Sequence, residues 1–132
     1  GDVYKRQQIF LSGIEVNAED LTSSKVDERF LQKAIELVEK NLDNSDYSVE
    51  AFSDDMCMSR MNLYRKLQII TGQKPTEFIR SIRLKKAAGL LTHTELTVIE
   101  ISEKVGFATP SYFSKCFKDM FGVLPTQYHS QD

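Results

Sequence analysis

The side chains best suited to chemistry fall into two sets with one spacing. Met61, Tyr64, Arg65 and Gln68 correspond, 50 residues on, to Ser111, Ser114, Lys115 and Lys118. Steps of three, one and three residues place each set on one face of a helix. Neither set holds a nucleophile with a base beside it. Each holds donors and cations, which suit the reading of a polar surface. Arg65 is the most discriminating, because a guanidinium fork matches O6 and N7 of guanine in the major groove of DNA. Met61 and Tyr64 add apolar contact for thymine methyls and a polar tip for a base or phosphate. Ser111 and Ser114 are short and discriminate weakly, so the first set should specify more sequence than the second, where Lys115 leads.

Other chemistry is poorly served. His93 and His129 are isolated, with no cysteine or carboxylate at metal-ligand spacing. Cys57 and Cys116 lack partner motifs and an evident histidine base, and read as buried thiols of a reducing, cytoplasmic compartment. No phosphate-cradling glycine loop or nucleophile elbow occurs. No catalytic residue, metal, cofactor or small-molecule ligand is therefore expected, and the chain is not read as an enzyme. No apolar run approaches the roughly 20 residues of a membrane span, so no membrane contact is expected.

The helices that must carry the two sets are legible from periodicity and punctuation. Phe30, Leu31, Ala34, Ile35, Val38 and Leu42 recur at three- and four-residue steps, predicting a lead helix from Ser24–Asp27 to about Leu42. Ser48-Val49-Glu50-Ala51-Phe52-Ser53 then aligns with Thr97-Val98-Ile99-Glu100-Ile101-Ser102. Leu63, Leu67, Gly72, Pro75 and Phe78 align in turn with Phe113, Phe117, Gly122, Pro125 and Tyr128. Two copies of one supersecondary unit account for both alignments.

Each copy reads as helix, tight turn, longer helix. In the first, about 48–72, Ser48 and Ser59 are N-caps and Gly72 closes the second helix. In the second, about 97–122, Thr97 with Glu100 forms a capping box, Gly106 supplies the turn, Thr109 caps and Pro110 starts the longer helix, and Gly122 stops it. Leu63, Leu67 and Ile70 are the inward stripe of one long helix; Phe113, Cys116, Phe117 and Met120 are that of the other. Phe107 and Met58, after the turns, read as core residues. A central helix, about 75–92, joins the copies, and Gly89 within it predicts either close packing or a slight kink. Pro125 starts a short last helix. The fold expected is all-α: two helix-turn-helix subdomains joined by a long central helix, about seven helices, after an irregular linker at residues 1–23 whose first seven residues need not be native. Ile14–Val16 is at most a short extended stretch.

The charge is distributed as this reading needs. Residues 59–86 carry eight basic side chains and one acidic (+7), against six basic and 13 acidic in residues 1–58 (−7) and three basic and five acidic in residues 87–132 (−2). A cationic block matters more to a phosphate than the total of −2 does, because screening confines each field to about 10 Å. Phosphate contacts are expected from the helix starts at Ser48, Ser59, Thr97 and Thr109, and from Arg60, Lys66 and Ser114. Arg83 is expected to pair with an acidic partner inside the fold.

From Ser48 to His129 the sequence resembles the DNA-binding domain of AraC-type regulators. The resemblance rests on Arg83-Leu84-x-x-Ala87 with Leu90-Leu91, on Ile101-Ser102-x-x-Val105-Gly106-Phe107, on Ser111-Tyr112-Phe113-Ser114-x-x-Phe117-Lys118-x-x-Phe121-Gly122, and on Pro125-x-x-Tyr128. Met58-Ser59-Arg60, Leu63-Tyr64-Arg65-Lys66-Leu67 and Thr71-Gly72 extend it into the first copy. It implies two recognition helices entering adjacent major-groove segments of a double-stranded operator, with base contacts from Met61, Tyr64, Arg65, Ser111 and Lys115. The lead helix, with Asp27-Glu28-Arg29-Phe30-Leu31 and Leu37-Val38-x-x-Asn41-Leu42, is similar to output domains of hybrid two-component regulators. That implies a parent carrying a histidine kinase, dimerisation through its other domains, and contact with RNA polymerase as a further partner. The alternative class is a helical module that docks a receiver domain or RNA polymerase. Two departures stand out: Cys57 where the turn usually has Gly, and Ser53 and Ser102 where Ala is common. Each serine hydroxyl then needs a local backbone carbonyl.

Overall fold

The computed structural model describes residues 25–128. The tail, the stretch Ile14–Val16, the start at Ser24 and His129 lie outside them. Within those bounds the chain forms α1 (Lys25–Lys40), α2 (Val49–Asp55), α3 (Arg60–Thr71), α4 (Pro75–His93), α5 (Val98–Lys104) and α6 (Pro110–Phe121), then a 3-10 turn at Pro125–Gln127. Six α-helices therefore stand where about seven helices were expected, the seventh being the short 3-10 turn, and no strand occurs among the described residues.

The helices group into two units. The first takes the residues up to Leu37 together with Ser48–Phe78; the second takes Val38–Tyr47 and the chain from Ile79. In the first unit Ala34, Phe52, Leu63 and Leu67 are fully buried, with Met56, Ile70 and Phe78 nearly so. The rings of Phe52 and Phe78 stack with centroids 6.0 Å apart. Ser48 and Ser59 cap α2 and α3 by accepting from Ala51 N (3.0 Å) and Asn62 N (3.1 Å). Gly72 ends α3 in the left-handed region at φ 76°. The turn between α2 and α3 holds Cys57 at φ 60°, a conformation costing a non-glycine residue on the order of 1 kcal/mol, and leaves its thiol exposed rather than buried as expected. Met58, expected in the core, is only half-buried.

The second unit is built around aromatic rings. Phe113 and Phe117 are fully buried; Phe107 lies 5.2 Å from Phe113, and Phe117 lies 4.5 Å from Phe121 and edge-on to Tyr128 at 5.3 Å. Leu84, Ala87, Ile101, Val105 and Cys116 complete this core. Thr97 and Glu100 form the expected capping box, Thr97 N donating to Glu100 Oε1 at 2.9 Å. Thr109 accepts from Tyr112 N at 3.2 Å ahead of Pro110. Ser53 and Ser102 donate to Glu50 O and Ile99 O, each at 2.9 Å, so both buried hydroxyls are satisfied locally.

Arg83, 5% exposed, ties this unit together. Its guanidinium donates to Leu42 O, to Val105 O at 2.7 Å and to Asn44 O at 2.9 Å. The expected acidic partner is thus replaced by three carbonyls that helix and turn ends leave over. Burial lowers the Arg83 pKa, and the nearby Asp43 charge opposes that shift.

Gly89 is neither tightly packed nor forced into a positive φ: beyond the backbone of its own helix turns, no heavy atom lies within 4 Å of a Cβ placed there. The close-packing expectation therefore fails. Replacing Gly89 with Ala should stabilise the protein by up to about 1 kcal/mol through the restricted unfolded chain and better helix propensity. A urea titration checks this; a loss of stability would mean that α4 needs the glycine.

Candidate nucleic-acid interface

The outward face of α3 exists because its opposite face is spent on the core. With Leu63, Leu67 and Ile70 buried, the 100° step per residue turns Met61, Tyr64, Arg65 and Gln68 to solvent. All four are exposed, Met61 at 59% and Tyr64 at 42%. Met61 and Tyr64 stand one turn apart on this face, so their apolar surface is available beside the Arg65 guanidinium. Arg60 is exposed at the start of the same helix. The Ser59 hydroxyl is engaged in capping, so a phosphate at this end would meet the remaining first-turn amides and Arg60.

In α6 the burial of Phe113, Cys116 and Phe117 leaves Ser111, Lys115 and Lys118 exposed and Ser114 half-buried. Met120, expected in the core, is 38% exposed. The last turn of α6 is closed instead by Phe121 and Tyr128, whose rings lie 5.5 Å apart, and the residue before Phe121 is left at the rim. The Lys115 ammonium lies 3.4 Å from Asp119 Oδ2, one turn further along. Both side chains are well exposed, so this pair is worth at most a few tenths of a kcal/mol and a stronger partner can take the lysine.

The remaining expected phosphate contacts are placed unequally. Ser48 caps α2 at the surface. At Thr97 the Glu100 carboxylate already occupies the cap amide, which puts a negative charge where a phosphate was expected. Lys66 is only half exposed. Its ammonium sits 3.3 Å from Asp27 Oδ1 of α1 and 5.2 Å from the centre of the Phe30 ring. Sequence reasoning missed this pairing, since no local spacing connects residue 27 with residue 66. It also missed Asp119, although its four-residue step from Lys115 was legible. No group of His, Cys, Asp or Glu able to hold a metal occurs among the described residues, and no helix among them is long and apolar enough to cross a membrane.

The family model described as a helix-turn-helix domain matches residues 52–131. Over 122 residues the chain is 40% identical to histidine kinase P4 of Formosa agariphila, covering 92% of this chain and 9% of that protein. The C-terminal domain of AraT, a response regulator from Geobacillus stearothermophilus, superimposes with a TM-score of 0.69 at 35% identity, covering 75% of this chain and 82% of that one. The DNA-binding domain of AdpA, a global transcriptional factor solved in complex with a target DNA, shares the fold at a TM-score of 0.68 and 24% identity, over 74% of this chain and 87% of that one.

Proposed function

Because the chain belongs to the AraC-type helix-turn-helix family, whose domains bind DNA to regulate transcription, we propose that its α3 and α6 each read one major-groove segment of an asymmetric operator. The carrying observation is that both helices are capped alike and turn matching positions outward: Met61, Tyr64 and Arg65 on one, Ser111 and Lys115 on the other. Head-to-tail duplication in one chain implies two unlike elements about one helical turn apart, roughly 10 bp. The first carries more information, since Arg65 can fork onto guanine while the serines discriminate little. Phosphates are met by Arg60 and by first-turn amides of the longer helices. The chain spans about a tenth of the length of the Formosa histidine kinase it matches. We place it as the output module of a larger signalling polypeptide whose other parts supply sensing and dimerisation, with RNA polymerase as a further partner once on DNA.

Selection from a random duplex library, followed by a salt titration on the enriched site, tests this reading. The expected result is a two-element motif, the more informative element belonging to α3, and an affinity that falls steeply with salt. No enrichment by the chain alone, and none by a covalently linked dimer of it, would overturn the reading in favour of a protein-docking module.

A further inference from the structure

Lys66 follows Arg65 and lies about 100° further round α3, between the buried stripe and the outward face. Lys66 is one of the phosphate contacts expected from the sequence. In this structure the ammonium is held 3.3 Å from the Asp27 carboxylate and over the Phe30 ring. Both partners belong to α1, the lead helix, and all three residues lie in the first unit. The pair is neither sealed nor fully solvated, with side chains 34% and 38% exposed. An ion pair of this exposure is worth up to about a fivefold preference, which withholds the ammonium from a phosphate at that flank.

We propose that Asp27 and Phe30 hold Lys66 in reserve, so that α1 sets how many phosphates the first unit neutralises. The proposal rests on the DNA-binding reading above and adds an affinity-determining pair outside the recognition helices. With α1 docked, Lys66 is spent on Asp27 and the first unit binds with one cation fewer. With the Asp27 charge removed, the lysine turns to the backbone of the duplex and binding tightens for every sequence alike, because a phosphate contact carries no sequence information.

Equilibrium binding of the whole chain to a random-sequence duplex over a range of salt, for wild type, D27N, K66A and D27N/K66A, tests this. D27N should bind about fivefold more tightly at low salt, with a slope of log affinity against log salt steeper by about 0.9. K66A alone should lie close to wild type, and the double variant should lose the whole gain of D27N. E28Q, which removes the neighbouring exposed carboxylate of α1, should leave the slope unchanged. A D27N gain that survives K66A, or no gain at all, overturns the proposal. So does a K66A loss as large in wild type as in D27N, since Lys66 would then contact DNA while α1 is docked. Absence of any salt-dependent binding by wild type is a different result, which would sink the DNA-binding reading itself. Melting temperatures of the variants close to wild type show that each is folded.

Discussion

Gly106→Ala should cost the second unit about 4 kcal/mol, while the same change at Gly122 should cost about 1 kcal/mol. The two glycines have nearly the same backbone, φ 87° and 84°, so the left-handed penalty of roughly 1 kcal/mol is common to both. Their surroundings differ. A Cβ at Gly122 meets nothing within 4 Å, whereas one at Gly106 collides with the Arg83 guanidinium and with Leu42 O. Neither neighbour is free to give way, since Leu42 O is backbone and the guanidinium is fixed by three carbonyls. Displacing it forfeits hydrogen bonds worth about 1.5–3 kcal/mol each to a charged donor, and leaves buried acceptors unpaired. Urea unfolding of the two variants beside wild type checks this. Equal costs at the two positions would mean that the guanidinium moves aside freely, and the account of Arg83 as a fixed tie would be wrong.

Arg65→Ala should weaken binding to the selected operator by about 1–3 kcal/mol and relax preference at one or two base pairs within the α3 element. Because Arg65 is exposed, thermal stability should not move. Arg60→Ala is the contrasting case: placed to meet phosphate, it should weaken all sequences alike and reduce the salt slope by about one. Repeating the selection with each variant separates the two behaviours. A motif recovered unchanged in sharpness with Arg65→Ala would remove that residue from the base readers.

Local signals carried most of the architecture. The capping hydroxyls of Ser48, Ser59, Thr97 and Thr109 and the left-handed glycines 72, 106 and 122 declare helix ends within a few residues, because capping is settled by atoms three or four positions away. The outward faces of α3 and α6 follow from the buried stripes by helical period alone. What could not be read were partners distant in sequence. Arg83 was expected to find a carboxylate and found three carbonyls, because which backbone acceptors are left over depends on where turns 41–46 and 105–106 come to rest. Lys66 reads as a phosphate ligand from the sequence, but its neighbours Asp27 and Phe30 lie some forty residues away along the chain and no local spacing gives them. Met120 obeyed the period yet lies at the rim, since Phe121 and Tyr128 fill the space first. Gly89 had no local explanation, and the structure supplies none.

Arg83 also decides how the protein can be divided. Its acceptors lie 41, 39 and 22 residues away along the chain, and the second unit includes Val38–Tyr47 as well as everything from Ile79. The first helix-turn-helix is therefore an insertion within the chain path of the unit that follows it. A fragment beginning at Ile79 would keep α5, α6 and the Val105 carbonyl but lose Leu42 and Asn44, two of the three partners that satisfy the guanidinium. The helix-turn-helix pattern repeats along the chain, but the two units do not divide it end to end. The first unit is not a cassette either: besides Ser48–Phe78 it takes the chain up to Leu37, including the fully buried Ala34, so no single cut yields two self-sufficient units.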